Sequence, residues 1–327
     1  MGVNIEKVAK MARISTATVS RVINNPEKVS KRTRDTVERI IKELKYVPNQ
    51  QARSLRSQKT GMIAIIVPHS ADYLFAYPYF SILLKELSLE LKRYAYHLIL
   101  TTDEPTDPVT GTYRLFVEKK MVDGFVVLDL RNNDDRVRYL REAGVSFVTV
   151  GRDYYDDAFS YVDTDNDMGA FLAGRHLAEL GCRRILFISG AADQSVSDWR
   201  KQGLKRASQE FGFDYEIFYG DFLEKSGAAI TKKSIKEFDG IFAASDLMAM
   251  GALAALKESG ARMPVVGFDD IPLSAEHSPS LTTIHQPIAE VGEAVARSII
   301  KQIVQGETSK TILPVELVIR ESTEVIR

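Results

Sequence analysis

Five side chains close to the N-terminus are of the types that read the edges of DNA bases: Thr16, Ala17, Ser20, Arg21 and Asn24. A guanidinium can bond guanine through two hydrogen bonds, and the methyl groups of Thr and Ala fit the methyl group of thymine. Ser15 precedes them and is a good helix N-cap, while Val19, Val22 and Ile23 would pack inward. An ordinary solvent-exposed helix could carry the same residue types, so the surrounding elements must decide.

A second group of candidate functional residues follows the first predicted strand. The segment 68–80 is unusually aromatic for a loop and contains Ser70, Tyr79 and Phe80. Aromatic faces beside polar groups suit sugar rings, whose C–H patches stack while their hydroxyls form hydrogen bonds. We therefore predict that these three residues belong to a ligand site. The aromatic side chains could instead complete the core or a subunit interface.

Three predicted helices would position the N-terminal group. Apolar residues at helical spacing indicate helices over Ile5–Met11, Thr16–Asn24 and Lys31–Leu44. A tight turn joins the first two, so residues 1–47 are predicted to form a helix-turn-helix, whose second helix enters the major groove. Residues 1–60 contain 14 Lys and Arg against 5 Asp and Glu, whereas the rest contains 29 against 39. Such a positive head on a negative body is typical of nucleic-acid binding.

The segment after the third helix contains a distinctive motif. Together with residues 3–9 and 15–24, the runs Tyr46-Val47-Pro48-Asn49 and Ala52-Arg53-Ser54-Leu55 resemble the lactose/galactose repressor family of bacterial transcriptional regulators. The resemblance is dense over the first sixty residues and continues in order through the chain. It implies a DNA-induced hinge helix within residues 48–60, with four DNA-contacting residues: Asn49, Ala52, Arg53 and Leu55. Leu55 stands where the family inserts a leucine into the minor groove as an apolar wedge.

One position in the head departs from the family. Glycine is usual in the turn before the recognition helix, where this chain has Arg13. If the backbone needs a positive φ there, a non-glycine residue costs about 1 kcal/mol. We interpret this as a tolerable strain, which a contact between the Arg13 side chain and a DNA phosphate would accompany.

The remaining residues alternate apolar runs of strand length with amphipathic helical stretches. Eight runs are predicted as strands: Met62–Val67, His97–Thr101, Gly124–Leu128, Phe147–Val150, Ile185–Ile188, Ile217–Tyr219, Gly240–Ala244 and Val265–Phe268. Continuous apolar runs indicate parallel strands that are covered on both faces. A further helix over Ile288–Val304 and returning strands within Thr311–Arg320 would complete both sheets.

We therefore predict an α/β fold with two doubly wound parallel-sheet lobes behind the helical head. The first lobe would contain residues 61–160 plus 288–314, and the second residues 161–287 plus 315–327. A ligand cleft is expected at the carboxyl ends of the strands. The family resemblance implies a type I periplasmic-binding-protein-like core with three crossovers between the lobes.

The resemblance also implies residues for the cleft. It places a ligand-contacting arginine at Arg200, an aromatic stacking residue at Phe222 and an aspartate that binds ligand hydroxyls at Asp269. A carboxylate can accept from two adjacent hydroxyls at once. Gln286 follows the Leu-Thr-Thr-Ile crossover motif and would lie near the ligand.

Two cleft positions depart from familiar members and leave the ligand's identity open. Ser245 replaces an asparagine that many members have, and Gly151-Arg152 stands where a lactose-type repressor has an aspartate. We retain Ser245 among the predicted ligand residues. The aromatic loop and Gly151-Arg152 look more like glucoside- or maltose-type regulators, while a purine-responsive or other small-molecule-responsive regulator stays open.

Other functional classes are disfavoured. The sequence contains no phosphate-binding loop, nucleophile elbow, dinucleotide fingerprint or zinc-protease motif, and its five histidines are scattered. We therefore expect no enzyme activity, no cofactor and no metal. The single cysteine, Cys182, excludes an internal disulfide and fits a reducing cytoplasm. A sugar-binding protein without DNA function stays a remote alternative, because no secretory signal is visible and the head is basic.

These observations predict a cytoplasmic, nucleoid-associated regulator, most simply a repressor of sugar-utilisation genes. It would bind palindromic double-stranded operator DNA as a homodimer, because operator symmetry mirrors protein symmetry. Its allosteric effector would be a mono- or disaccharide. No apolar run is long enough to span a membrane. No heptad repeat follows the last predicted strand, so a dimer is expected rather than a tetramer.

Overall fold

The computed structural model describes residues 4–46, 59–67, 71–102, 111–156 and 158–324, without the side chains of residues 24 and 71–73. The chain divides into two compact units, Met1–Thr60 and Gly61–Arg327. The α-helices are α1 Ile5–Ala12, α2 Thr16–Asn24, α3 Lys31–Glu43, α4 Ala71–Ala76, α5 Pro78–Arg93, α6 Gly111–Glu118, α7 Asp135–Glu142, α8 Asn166–Glu179, α9 Ser195–Phe211, α10 Glu224–Ser234, α11 Asp246–Ser259, α12 Pro272–Glu276 and α13 Ile288–Gln305. The strands are β1 Met62–Val67, β2 His97–Thr102, β3 Gly124–Val127, β4 Ser146–Val150, β5 Ser160–Thr164, β6 Arg184–Ser189, β7 Asp214–Tyr219, β8 Gly240–Ala243, β9 Val265–Asp269, β10 Thr282–His285, β11 Lys310–Leu313 and β12 Glu316–Val318.

Caps and apolar faces explain the helices of the first unit. The side chains of Asn4, Ser15 and Ser30 accept hydrogen bonds from amides in the first turns of α1, α2 and α3. The apolar faces meet in a small core formed by Val8, Ala9, Val19, Val22, Val37, Ile40 and Tyr46. The three helices predicted from the sequence are confirmed, with ends that differ by at most one residue.

Arg13 ends α1 in the left-handed region, with φ 57° and ψ 41°. Its backbone N–H closes the helix by donating to the carbonyl groups of Ala9 and Lys10. The backbone at Arg13 therefore has the positive φ that the family's usual glycine suggested. A non-glycine residue in this conformation carries a strain of about 1 kcal/mol.

The second unit contains two six-stranded sheets, with strand orders β11-β5-β4-β3-β1-β2 and β12-β10-β9-β8-β6-β7. All neighbouring strands are parallel except β10 and β12. The central strands β3 and β8 are buried along their whole length, because helices cover both faces of each sheet. The predicted pair of doubly wound lobes is confirmed.

Two strands were not predicted, and one of them moves a boundary. β5 pairs with β4 and β11, so the first sheet extends through Thr164 and the proposed division after residue 160 falls inside a strand. β10, interpreted from the sequence only as a crossover, pairs with β9 and β12. Both strands are rich in polar residues, such as Asp163 and Thr282, and so lack the apolar run that predicts a strand.

The chain crosses between the sheets three times, after β5, after β10 and between β11 and β12. α13 returns to the first lobe, where it packs against α5, β4 and β5. These crossings lie beside the carboxyl ends of several strands. The topology therefore brings the residues that follow strands of both sheets to one cleft.

Candidate functional site

The accessible side of α2 carries four of the predicted base-reading residues: Thr16, Ala17 and Arg21 are exposed, and Ser20 is half-buried. Val19 and Val22 of the same helix are buried in the core of the head. Ser15 Oγ accepts from the backbone N–H of Thr18 at 3.1 Å, which caps the first turn. The structure thus divides α2 into an inner and an outer face as the sequence predicts.

Several predicted contacts lie outside the described residues. For DNA these are the side chain of Asn24 and the residues Asn49, Ala52, Arg53 and Leu55, and for the ligand site Ser70. Their roles stay predictions from the sequence.

A cleft lies between the two lobes. Six of the predicted ligand residues line it: Tyr79, Phe80, Arg200, Phe222, Asp269 and Gln286. The first lobe contributes residues that follow β3, β4 and β5, and the second contributes residues from α9 and the end of β9. This is where open parallel sheets bind ligands.

Asp269, the last residue of β9, lies in the cleft and is only 1% exposed. Tyr77 Oη donates to its Oδ2 at 2.6 Å, and Gln286 Nε2 donates to its Oδ1 at 2.6 Å. Its φ of 121° is a strained value for a residue with a side chain. Such strain persists only where the surroundings enforce it, and it concentrates at functional sites.

A second buried carboxylate, Asp246, lies behind Asp269. It accepts from Ile271 N at 2.9 Å, from Ser274 Oγ at 2.6 Å and from Thr283 Oγ1. Burial raises the pKa of both carboxyls, and the negative charge of Asp269 raises the pKa of Asp246 further. Arg200 opposes the effect of burial by lowering the pKa of Asp269. A ligand hydroxyl that donates a hydrogen bond to Asp269 would stabilise this buried carboxylate further.

Arg200 is held on α9 by contacts on three sides. Its Nε donates to Asn166 Oδ1 at 2.9 Å, and its Nη1 donates to the carbonyl oxygen of Ala244. Its guanidinium carbon lies 3.7 Å from the centre of the Phe268 ring. The side chain is thereby fixed in one orientation beside the cleft.

Aromatic rings form one wall of the cleft. The Tyr77 ring stacks on Tyr79 and on Phe222, with centroid distances of 5.8 and 6.3 Å, and meets Phe80 edge-on at 5.4 Å. Phe222 has a positive φ of 65° and fits against Gly190, where a Cβ would lie 2.1 Å from the ring. Flat apolar surface thus lies beside the acceptor oxygens of Asp269.

Ser245, a predicted ligand residue, is not among the residues that the structure places at the cleft surface. It is fully buried. Its Oγ accepts from Met248 N at 3.2 Å as the N-cap of α11 and donates to the carbonyl oxygen of Phe222 at 3.0 Å. Its hydroxyl therefore supports a helix end and the backbone of a cleft residue.

Sequence reasoning missed other polar residues that line the cleft, among them Asp163 and Asn166. Asp163 lies in β5 and Asn166 comes shortly after it, and β5 is a strand that the sequence analysis did not predict. Tyr77 was part of the aromatic segment but was not chosen, although its hydroxyl makes the bond to Asp269. Arg152 was noted only as a departure from lactose-type members, and it also lines the cleft.

Polar contacts join the two lobes beside the cleft. Asn132 Nδ2 donates to Asp198 Oδ2 at 2.6 Å, and Ser195 Oγ donates to the carbonyl oxygen of Arg152 at 2.7 Å. Backbone bonds add to them, since Ser195 N donates to Leu130 O at 3.0 Å. We call this set the lobe latch, because each bond has one partner in each lobe.

Comparison with known proteins decides the family. Residues 4–49 match the family described as bacterial regulatory proteins, lacI family, and residues 175–323 match the periplasmic binding protein-like domain. The HTH-type transcriptional regulator CelR of Thermobifida fusca is 36% identical, with 97% of each chain covered. This chain belongs to the lacI family. The predicted identity as a DNA-binding transcriptional regulator is confirmed.

Other relatives of this lacI-family regulator cover nearly its whole length. The ribose operon repressor of Halalkalibacterium halodurans is 33% identical over 98% of this chain and 97% of that one. The repressor PurR of Mannheimia succiniciproducens is 30% identical over 98% and 99%.

Solved structures of similar proteins include a complex with sugar and a complex with DNA. The regulator CelR–cellobiose complex has a TM-score of 0.76 and 34% identity, covering 98% of this chain and 99% of that one. The lac repressor dimer bound to operator and the anti-inducer ONPF has a TM-score of 0.85 and 26% identity, with 99% of each chain covered.

No helix among the described residues is both long and apolar enough to cross a membrane. The same residues contain no cluster of three or more His, Cys, Asp or Glu placed to hold a metal ion.

Proposed function

We propose that this regulator represses transcription as a dimer on a palindromic operator, and that a small glucoside-type sugar in the cleft changes its affinity for DNA. Residues 1–47 would read the operator, residues 48–60 would act as the hinge, and the two lobes would sense the sugar. We assign the chain no catalytic activity.

The DNA half of the proposal is supported by the outer face of α2. Its exposed Thr16, Ala17 and Arg21 are of the types that contact base edges in the major groove. The excess of Lys and Arg in residues 1–60 supplies the phosphate attraction that such binding needs. The operator-bound dimer of the similar lac repressor supports the same mode.

The ligand half depends on one observation: a buried carboxylate lies beside an aromatic wall in a cleft between two lobes. Asp269 offers oxygen acceptors, and the rings of Tyr79 and Phe222 offer apolar faces. A sugar needs both, because its hydroxyls form hydrogen bonds while its C–H faces stack. The similarity to CelR, whose complex contains cellobiose, supports a β-glucoside in particular.

Residues of both lobes surround the cleft, so sugar binding would favour one arrangement of the lobes over the other. A ligand shifts a conformational equilibrium only by its difference in affinity for the two states. In a dimer, a change in the lobes would alter the spacing of the two heads and the order of the hinge. Such couplings are typically about 1–3 kcal/mol.

The test begins with selection of an operator from a pool of random palindromic duplexes. Fluorescence anisotropy at fixed salt then measures its dissociation constant with glucose, cellobiose, maltose, adenine or hypoxanthine present. We expect a glucoside to change the constant by at least about fivefold, and no hydrolysis of that glucoside. A response to purines alone would favour a purine-responsive regulator. Failure to bind any duplex in every ligand state would overturn the proposal.

A further inference from the structure

The turn that follows β9 contains two consecutive residues with positive φ. Asp269, the carboxylate of the cleft, has φ 121°, and Asp270 has φ 57°. Neither residue is glycine, so each conformation carries strain that the surrounding structure must offset. Contacts of the neighbouring residues are therefore needed to keep Asp269 in its place at the cleft.

Asp270 supplies such contacts from behind the cleft. Its Oδ1 accepts from Arg320 Nη2 at 2.7 Å, and its Oδ2 lies 2.9 Å from His285 Nδ1. The side chain of Asp270 is 15% exposed and is not among those that the structure places at the cleft surface. Its carboxylate thus has two partners within the protein and is not placed to contact a ligand.

One of these partners, His285, stands next to the second crossover between the lobes. It is the last residue of β10 and immediately precedes Gln286. Gln286 bonds Asp269 twice, because its backbone N donates to the carbonyl oxygen at 3.3 Å and its Nε2 donates to Oδ1 at 2.6 Å. The contact between Asp270 and His285 therefore fixes the neighbour of a residue that holds Asp269.

The other partner, Arg320, follows β12, the strand that the third crossover enters. Its Nη1 donates to Leu281 O and its backbone N donates to Thr282 Oγ1, both at 2.8 Å. Two bonds thus join Arg320 to the start of β10, in addition to its ion pair with Asp270. The carboxylate of Asp270 consequently connects the turn after β9 to both ends of β10.

A small hollow beside His285 lies at the hinge between the lobes. Its lining includes Pro287 of the second crossover, Pro314 of the third crossover and Glu290 of α13. When lobes move, a few residues at the ends of elements absorb the change in backbone angles. The residues next to His285 are in such a position.

We propose that Asp270 is a positioning residue of the effector site, which keeps Asp269 in place by bonding the turn after β9 to both ends of β10. We call Asp270, His285 and Arg320 the crossover clamp. The inference rests on the proposed function, because it assigns a residue that supports sugar binding in the same cleft. The crossover clamp also connects the ligand carboxylate physically to the segments that join the lobes.

The alternative is an ion pair that has no role in binding. Exposed ion pairs contribute little, and their loss leaves a folded site unchanged. The crossover clamp differs because the carboxylate of Asp270 is largely buried and has two partners. It also directly follows the residue that it would hold.

The first experiment compares hydrogen exchange of the ligand-free, full-length protein with that of Asp270→Ala. The amide of Gln286 bonds the carbonyl oxygen of Asp269, and the amide of Ile271 bonds Asp246 Oδ2, so both report on the turn. We expect both amides to exchange about tenfold faster in the variant, while amides in β6 keep their wild-type rates. Wild-type exchange at both amides would overturn the inference, whatever ligand the protein binds.

The second experiment measures sugar affinity by isothermal titration calorimetry, with glucose, cellobiose and maltose as probes. Asp270→Ala should weaken binding of the sugar that binds the wild type by about tenfold. Asp270→Asn should recover most of this loss, because its amide keeps an oxygen for Arg320 and its NH₂ can donate to His285 Nδ1 when that nitrogen carries no proton. Glu258→Ala, which breaks an exposed ion pair with Lys232 in the same lobe, is the matched control.

Two further variants keep the test decisive if Asp270→Ala does not fold. His285→Ala and Arg320→Ala each remove one partner of the carboxylate and should each weaken sugar binding about threefold. Wild-type affinity in both variants would overturn the inference.

The outcomes separate the inference from the proposed function. Wild-type sugar affinity in Asp270→Ala overturns the inference alone, and so does a loss in Asp270→Asn as large as that in Asp270→Ala. If none of the sugars binds the wild type, the sugar effector is wrong, and the exchange rates of the ligand-free protein still decide the inference. Operator affinity without sugar should be unchanged in every variant. A loss of operator affinity as large as the loss of sugar affinity would assign Asp270 to the fold and overturn the positioning role.

Discussion

At the scale of single residues, Asp269 allows sugar sensing to be separated from DNA reading. In Asp269→Asn an amide NH₂ would replace one of the oxygens that accept from Tyr77 and Gln286. The variant should lose about 10- to 100-fold in sugar affinity, because a charge-assisted acceptor is gone. Operator affinity without sugar should stay at the wild-type value. Anisotropy titrations with and without sugar test both, and an unchanged sugar dose–response would remove Asp269 from the site.

Asp163 should also make stability depend on pH. Its pKa rises from 3.8 to about 6 on burial, so between these pH values the folded protein keeps a proton that the unfolded chain has lost. Stability contributed by this group therefore falls as pH rises through the window, and the loss is complete above it. Asn at position 163 cannot titrate. The unfolding free energy of Asp163→Asn relative to wild type should thus increase from pH 4.5 to 6.5, on the order of 2 kcal/mol, and then level off.

Urea unfolding of the ligand-free chain at several pH values measures this difference. Other buried carboxyls, such as Asp246, titrate in both proteins and cancel. A difference that does not change with pH would show that Asp163 is not perturbed by its burial.

The sequence allowed some of these residues to be predicted but not others. Asp269 and Phe222 were found because the resemblance to the family implied a ligand-binding residue at each position. Ser245 follows a strand, yet its hydroxyl caps α11 and bonds Phe222 instead. The sequence alone does not show whether a serine in that position caps a helix or binds a ligand. Only the three-dimensional structure separates the two roles.

At the scale of elements, local signals were reliable where a cap or a long apolar run defined the element. Ser15 marked the start of α2, and the run Met62–Val67 marked β1. β5 was missed because polar Asp163 and Thr164 point into a site at its end. The missed strand therefore also hid a candidate binding residue.

The turn between α1 and α2 offers a test of strain. Arg13 has φ 57°, a conformation that glycine adopts without penalty. Arg13→Gly should stabilise the head by about 1 kcal/mol, whereas Arg13→Ala should give no such gain because it keeps the side-chain clash. Hydrogen exchange of amides in α1 and α2 of the full chain measures the effect. Equal protection in the two variants would assign the change to the lost charge instead.

At the scale of the whole molecule, the alternation of strands and helices predicted two lobes, but no sequence pattern predicted how they meet. The lobe latch joins residues far apart in the chain, such as Asn132 and Asp198. Contacts of this kind depend on the relative placement of two sheets. They lie beyond any rule based on local periodicity.

The lobe latch should contribute to sugar affinity without touching the sugar. Asn132→Ala removes the 2.6 Å bond to Asp198 and so destabilises the arrangement in which both lobes surround the ligand. If that arrangement binds sugar, a loss of about 1 kcal/mol should weaken apparent affinity about fivefold. Asp198→Ala should give a similar loss, and the double variant should lose little more, because both remove the same bond.

Calorimetry with the sugar that binds the wild type measures these affinities. Arg141→Ala breaks an ion pair to Asp156 within one lobe and is the control for a lost surface contact. Additive losses in the double variant would mean that the two residues act independently. Wild-type affinity in Asn132→Ala would show that the latch does not favour the sugar-binding arrangement, and the coupling between lobes would then have to come from the ligand's own contacts with Asp269 and the residues of the first lobe.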